Sequence, residues 1–366
     1  MSLQPLVIGD LVAKVPIIQG GMGVGISMSG LAGAVAKEGG IGIISAAQPG
    51  FLKPGFEQEQ IGNNLQALGE HIHKAKEISN GGIVGVNIMH ALKYFDEYVN
   101  CCVENGADVI ISGAGLPATL PTLLEGTNVK FAPVVSSLKA VMALFKRWDK
   151  RNGRVSDFVV IEGPDAGGHL GFSLEELSGD IREHYDDVVV SIVNYVKEFE
   201  EKYQKKIPVI FAGGVYDRKD IDHYLSLGCA GVQMATRFVA TEECDADIRF
   251  KEAYIHAKKE DIAIVKSPVG MPGRAIRNDF IKEREQNPEK ITKCYGCLNK
   301  CNPAEIPYCI TSALVRAAKG DVDNALVFCG SNAWRVDKIT TVHEIFEELT
   351  QDRDATAEND SARISA

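Results

Sequence analysis

Eight short apolar runs, at 16–19, 41–45, 83–89, 109–112, 131–136, 158–162, 208–212 and 231–238, follow one another through about the first 240 residues. Several are apolar at nearly every position, the mark of parallel strands covered on both faces. Between them, segments such as 29–37, 138–150, 188–203 and 218–227 space their apolar residues as amphipathic helices do. Parallel neighbours need a crossover, and eight strand–helix pairs fit the ~250 residues of a (β/α)8 barrel. A doubly wound open sheet also alternates but usually has fewer strands. The sequence therefore reads as α/β, a (β/α)8 TIM barrel with a C-terminal cysteine-containing extension. The barrel is assigned to 1–245, with an insertion at 47–80 expected to form a lid or flanking helix. A lid and helical, cysteine-rich extension follows at 246–350, and a polar, flexible tail at 351–366.

Glycines concentrate just after the strand-like runs: Gly20-Gly21-Met22-Gly23, Gly113-Ala114-Gly115, Gly167-Gly168-His169 and Gly213-Gly214. Glycine lets backbone approach a ligand closely, and the C-terminal strand ends of a barrel build its active site. Any one of these could be an ordinary tight turn; four on one rim point to a broad or phosphorylated ligand held by backbone N–H groups. Phosphate sites in barrels commonly follow strands seven and eight. Here those positions carry Gly213-Gly214 and Gln233-Met234-Ala235-Thr236-Arg237. Thr236 can join a phosphate site, whereas Arg237 fits either a phosphate or a carboxylate.

Formal net charge is −10, which argues against nucleic acid or an anionic membrane as partner. No apolar run approaches the ~20 residues of a membrane span, and the first residues lack a secretory pattern. A soluble, cytoplasmic protein is expected, with a homodimer admitted.

Five of the nine cysteines fall between Cys294 and Cys329. Cys294, Cys297 and Cys301 are close enough in sequence to reach one centre, and Cys309 can complete a four-thiolate site. Zinc and a [4Fe–4S] cluster both accept four thiolates; unliganded redox thiols are the third option. Cys329 is an alternative fourth ligand. Ser267-Pro-Val-Gly-Met-Pro-Gly-Arg274 reads as a lid whose Met271, with Met22, lines an apolar pocket or simply packs in the core. The segments 310–318 and 342–349 have helical spacing, with Trp334 expected to anchor them on the barrel.

Taken in order, Pro16-Ile-Ile-Gln-Gly-Gly-Met-Gly23, Asn87 in Gly-Val-Asn-Ile-Met, Glu162-Gly-Pro-Asp-Ala-Gly-Gly-His169, Ala212-Gly-Gly214 and Gln233-Met-Ala-Thr-Arg-Phe238 resemble the nitronate monooxygenase (2-nitropropane dioxygenase-like) family. That family includes flavin-dependent enoyl-acyl-carrier-protein reductases. The resemblance spans roughly 5–280 and implies a barrel binding FMN non-covalently. Its implied flavin contacts are Gly21, Met22, Asn87, Glu162, Gly167, Gly213, Gly214, Gln233, Met234, Ala235 and Thr236. It also implies that His169 stands beside the reactive edge of the flavin; an imidazole there can take a proton from a carbon acid or return one to a product. The C-x2-C-x3-C spacing of the tail looks like the cluster-binding segment of iron–sulfur flavin barrels.

The same residues serve two substrate classes. A nitronate would be oxidised with oxygen; an enoyl thioester would be reduced with NAD(P)H as donor, as in enoyl-acyl-carrier-protein or quinone reductases. A phosphate-binding isomerase and a flavin-binding accessory subunit are the readings from other classes.

Overall fold

The computed structural model describes residues 2–351. Eight parallel strands close into a barrel: Ile17–Gln19, Ile41–Ser45, Ile83–Met89, Val109–Gly113, Lys130–Val135, Val159–Glu162, Val209–Ala212 and Gly231–Met234. Each pairs with its sequence neighbour, and the eighth closes on the first through Val232 against Ile17. The (β/α)8 reading therefore holds. Only the eighth run departs from it: the strand ends at Met234, and Thr236–Val239 turn into a short helix.

Two apolar layers hold this architecture. Inside the barrel, Ile18, Ile41, Ile43, Val109, Ile111, Phe158, Val160 and Ile210 form one cluster, joined by Leu6, Ile8 and Ala13 of an N-terminal hairpin. Outside, Ile44, Val84, Val86, Ile88 and Ile110 meet the helices. Alternate residues of one strand thus face opposite layers, and both layers are dry. That is why the runs are continuously apolar. Of residues 47–80, the greater part is the helix Gln60–Ser79, which packs on helix Ser29–Lys37 and on the third strand.

The extension is built onto the barrel. Strands Ile262–Lys266 and Pro272–Ile276 form an antiparallel ribbon whose second strand pairs with Gly168–His169. Helices Ile310–Ala318 and Val342–Thr350 lie where helical spacing placed them. The anchor differs from expectation. Trp334 is 39% exposed beneath Lys259, while Ala333 and Val336 are buried. The expected flexible tail lies outside the described residues apart from Gln351. No helix among the described residues is long and apolar enough to cross a membrane.

Candidate active site

The strand C-termini open on one cavity of about 370 Å³. Its wall contains every residue expected to touch a flavin: Gly21, Met22, Asn87, Glu162, Gly167, Gly213, Gly214, Gln233, Met234, Ala235 and Thr236, together with His169. Met271 lines the same space.

Small residues set the shape of this wall. A Cβ on Gly21 would lie 2.4 Å from Asn87 Cβ, and one on Gly330 would lie 2.5 Å from Thr236 Oγ1. Gly213 and Gly214 have φ of 106° and 80°, backbone that side chains other than glycine rarely adopt. The loop after the first strand is tied down from below. Gln19 accepts from Ile43 N–H (3.1 Å) and donates to Ser27 Oγ (2.8 Å), which accepts from Met22 N–H (2.9 Å).

His169 is held by the extension. Gly273 pairs with it across the ribbon, and its ring meets Phe328 edge-on at 4.9 Å. Its Nε2 lies 2.7 Å from Ser267 Oγ. Burial pushes the imidazole down to about 4, so it is neutral at physiological pH. The preceding loop is fixed by buried Arg274, whose guanidinium donates to the carbonyls of Pro164 (2.9 Å) and Ala166.

Glu162 ends the sixth strand, and Tyr185 Oη reaches its carbonyl oxygen at 2.8 Å. Burial pushes its carboxyl up to about 7, against the opposing pull of Gly171 N–H and Arg274. A raised carboxyl means that the folded chain keeps a proton which the unfolded chain, at 4.5, has already lost. Stability from this group is full below pH 4.5 and is lost as pH rises through about 7. His169 acts oppositely: its lowered value costs stability as pH falls from 6.5 towards about 4. Glu162→Gln should therefore flatten the loss between pH 4.5 and 7 and leave the acid limb in place, as read by urea midpoints across pH. An unchanged profile would mean that Glu162 is ionised and solvated.

Arg237 faces a carboxylate: its Nη1 donates to Glu348 at 2.9 Å. It therefore belongs to the contact between the eighth strand end and helix Val342–Thr350, away from the cavity. Cys294, Cys297, Cys301 and Cys309 line a second cavity of about 190 Å³. Among the described residues, no three His, Cys, Asp or Glu side chains converge to hold a metal ion, so neither the expected cluster nor the zinc alternative has a preformed site. Cys329 lies elsewhere, in the wall of the large cavity.

The sequence reading gave no role to Ser267, Phe328, Tyr254 or Leu314, all of which meet His169 or the large cavity. Ser267 stood inside the segment read as a lid, yet nothing in its spacing announced a partner 98 positions away.

The model of the nitronate monooxygenase family matches residues 56–352. The chain belongs to that family, whose members are FMN oxidoreductases. The probable nitronate monooxygenase of Staphylococcus saprophyticus is 26% identical over 316 residues, covering 80% of this chain and 83% of the relative. That of Staphylococcus aureus strain Newman is 26% identical over 351 residues, 90% of each chain. Among solved structures, FabK from Thermotoga maritima superposes with a TM-score of 0.69 at 25% identity, over 95% of both chains. Nitroalkane oxidase from Streptomyces ansochromogenes superposes at 0.67 with 19% identity, over 93% of this chain and 97% of that one, a likeness of fold.

Proposed function

We propose that this chain is an FMN-dependent nitronate monooxygenase, oxidising nitronates and their parent nitroalkanes with oxygen. The observation that carries the reading is His169: neutral, hydrogen-bonded to Ser267 and set in the wall of the cavity formed by the strand ends. A neutral imidazole is the form that removes a proton from a carbon acid.

The residues present fit FMN. Gln233 Oε1 is buried without a hydrogen-bond partner, an acceptor that a ring N–H would satisfy. The glycine surfaces beside Asn87 and Thr236 leave flat space where side chains would intrude. Thr236 and the backbone at Gly213–Gly214 would hold the phosphate, and Asn87, Glu162 and Gln233 the ring. When bound, FMN supplies the electron acceptor for substrate oxidation. No Lys or Arg side chain lines the cavity, and its carboxyl groups are Glu162 and Asp165. A neutral nitroalkane can enter such a wall without a cationic partner, and it brings the proton that His169 would remove. Ser267 acts through His169, fixing which face of the ring points inward.

The reductase reading is favoured by another part of the same wall. Met22, Leu116, Met271 and Leu314 make an apolar reach suited to an acyl chain. On that reading NAD(P)H is the electron donor and an enoyl thioester the acceptor, in keeping with the likeness to FabK.

The test is the spectrum of protein purified without air, with nitronate and NADH added to separate samples. Flavin bands bleached by nitronate and not by NADH are expected; the reverse selects the reductase, and a colourless chain that FMN does not reconstitute ends both readings. Ser267→Ala should lower kcat and kcat/KM on a nitroalkane together, by ~3–10-fold, the worth of one hydrogen bond. Ser267→Thr should restore most of it. A change in KM alone would make Ser267 a substrate contact instead.

A further inference from the structure

The four tail thiols are a motif that the flavin reading leaves unused. They come from 294–309, within a stretch from 287 to 309 that has no helix or strand of its own. A structureless run this long inside a compact fold calls for a stabilising device or a function. It is tied to the rest of the fold by single contacts: Lys93 N–H donates to the Cys297 carbonyl and Asn299 N–H to that of Ala91, both at 3.0 Å, Asn299 Nδ2 donates to the Leu92 carbonyl (3.1 Å), and Lys293 pairs with Glu57 (2.6 Å).

The sulfurs themselves are arranged in a particular way. All four line one cavity, walled on its apolar side by Leu298 and Ile310. None is in a disulfide. Backbone donors point at them: Gly296 N–H reaches Cys294 Sγ at 3.4 Å, and those of Thr311 and Ser312, in the first turn of helix Ile310–Ala318, reach Cys309. The Thr311 hydroxyl reaches Cys297. Hydrogen bonds of this kind to the ligating sulfurs tune a bound cluster.

The placement of the thiols around one cavity bears on the candidate ligands. A tetrahedral zinc with Zn–S of about 2.3 Å would draw its sulfurs to within about 3.8 Å of one another. These four line one cavity of about 190 Å³, and no three of them converge to hold a single ion. A cubane cluster asks for that arrangement, because each thiolate binds a different iron at a different corner. Three ligands from one short loop and a fourth from the following helix cap reach four corners without crossing. We propose that Cys294, Cys297, Cys301 and Cys309 hold a [4Fe–4S] cluster.

The site adjoins the active-site cavity. Ile310 lines the thiol cavity and Leu314, one turn on, lines the large one. Four residues of helix rise by about 6 Å. The cluster therefore stands about one helical turn along the same helix face from the large cavity, and it staples the loop that leads into that helix.

The experiment is to purify the full chain without air, reconstitute it with ferrous iron and sulfide, and measure metal and acid-labile sulfide. About four iron and four sulfide per chain are expected, the content of a cubane held by four thiolates, with broad brown absorbance that dithionite bleaches. Cys297→Ser combined with Cys301→Ser should lose most of the iron and keep its fold by circular dichroism; Cys101→Ser should keep both. Should the double variant fail to fold, the wild-type chain still decides, offered zinc and iron in competition. One zinc per chain, about two iron and two sulfide, or no metal at all would each overturn the proposal. Flavin content is read separately on the chromophore released by heat, so protein with iron and no flavin counts against the flavin reading alone.

Discussion

Replacing His169 by alanine is expected to lower kcat/KM on a neutral nitroalkane by on the order of 10²–10⁴, while turnover of the preformed nitronate stays within about tenfold. The two substrates differ by the proton that His169 would remove, so the ratio of the two losses isolates its role as base. Position and charge state both matter. Its Nε2 is held at 2.7 Å from Ser267 Oγ, and its ring is braced by Phe328. Burial depresses its value to about 4, so the base is available across neutral pH.

The pH profile for nitroalkane should then rise along a limb near pH 4, with no inflection at the ordinary 6.5 of histidine. Glu162 titrates at about 7, so the profile is best taken in Glu162→Gln, where one group is left in that range. Equal losses on nitroalkane and nitronate would make His169 a binding group. A full loss on enoyl thioester with NADH, and none on either nitro substrate, would move the activity to the reductase class.

The barrel was readable because its physics is periodic. Runs such as 41–45 are buried at every position, which only a strand covered on both faces requires. The rim was readable for a related reason: glycines at 20–23, 167–168 and 213–214 follow strands, and a barrel puts strand ends on one face. Pairings that join distant segments left no trace. Helix Ser29–Lys37 has no capping side chain of its own; Asp245, more than 200 residues on, accepts from the N–H groups of Met28, Gly30 and Leu31 at 2.9–3.1 Å. Ser267 reaches His169 and Arg274 reaches the loop after the sixth strand in the same way. Each needs the ribbon to fold over the rim first. Arg237 shows the limit from the other side: the residue is legible, but its partner Glu348 depends on where a helix more than 100 residues away docks.

Gly42→Ala is expected to be the most damaging single methyl in the barrel, costing about 4 kcal/mol or more. Gly42 sits inside the second strand, and a Cβ there would lie 1.8 Å from the carbonyl oxygen of Ala32 and 2.5 Å from its carbon. Both atoms are backbone of helix Ser29–Lys37, so no side chain can swing aside. The helix must lift off the sheet, taking with it the dry contacts of Leu31, Ala32 and Val35. Met28, just before it, follows the loop that Ser27 ties to Met22 in the cavity wall. Strand–helix packing and cavity shape are thus one mechanical unit. The urea midpoint should fall steeply, and FMN affinity should fall with it at urea concentrations where the chain is still folded. Gly179→Ala is the control: its φ is −87° and the nearest atoms to its Cβ are ordinary contacts at 3.5 and 3.7 Å, so a change within about 0.5 kcal/mol is expected. A mild Gly42→Ala would mean that the helix rides on the sheet with room to spare. Loss of stability with FMN affinity intact would uncouple the first crossover helix from the site.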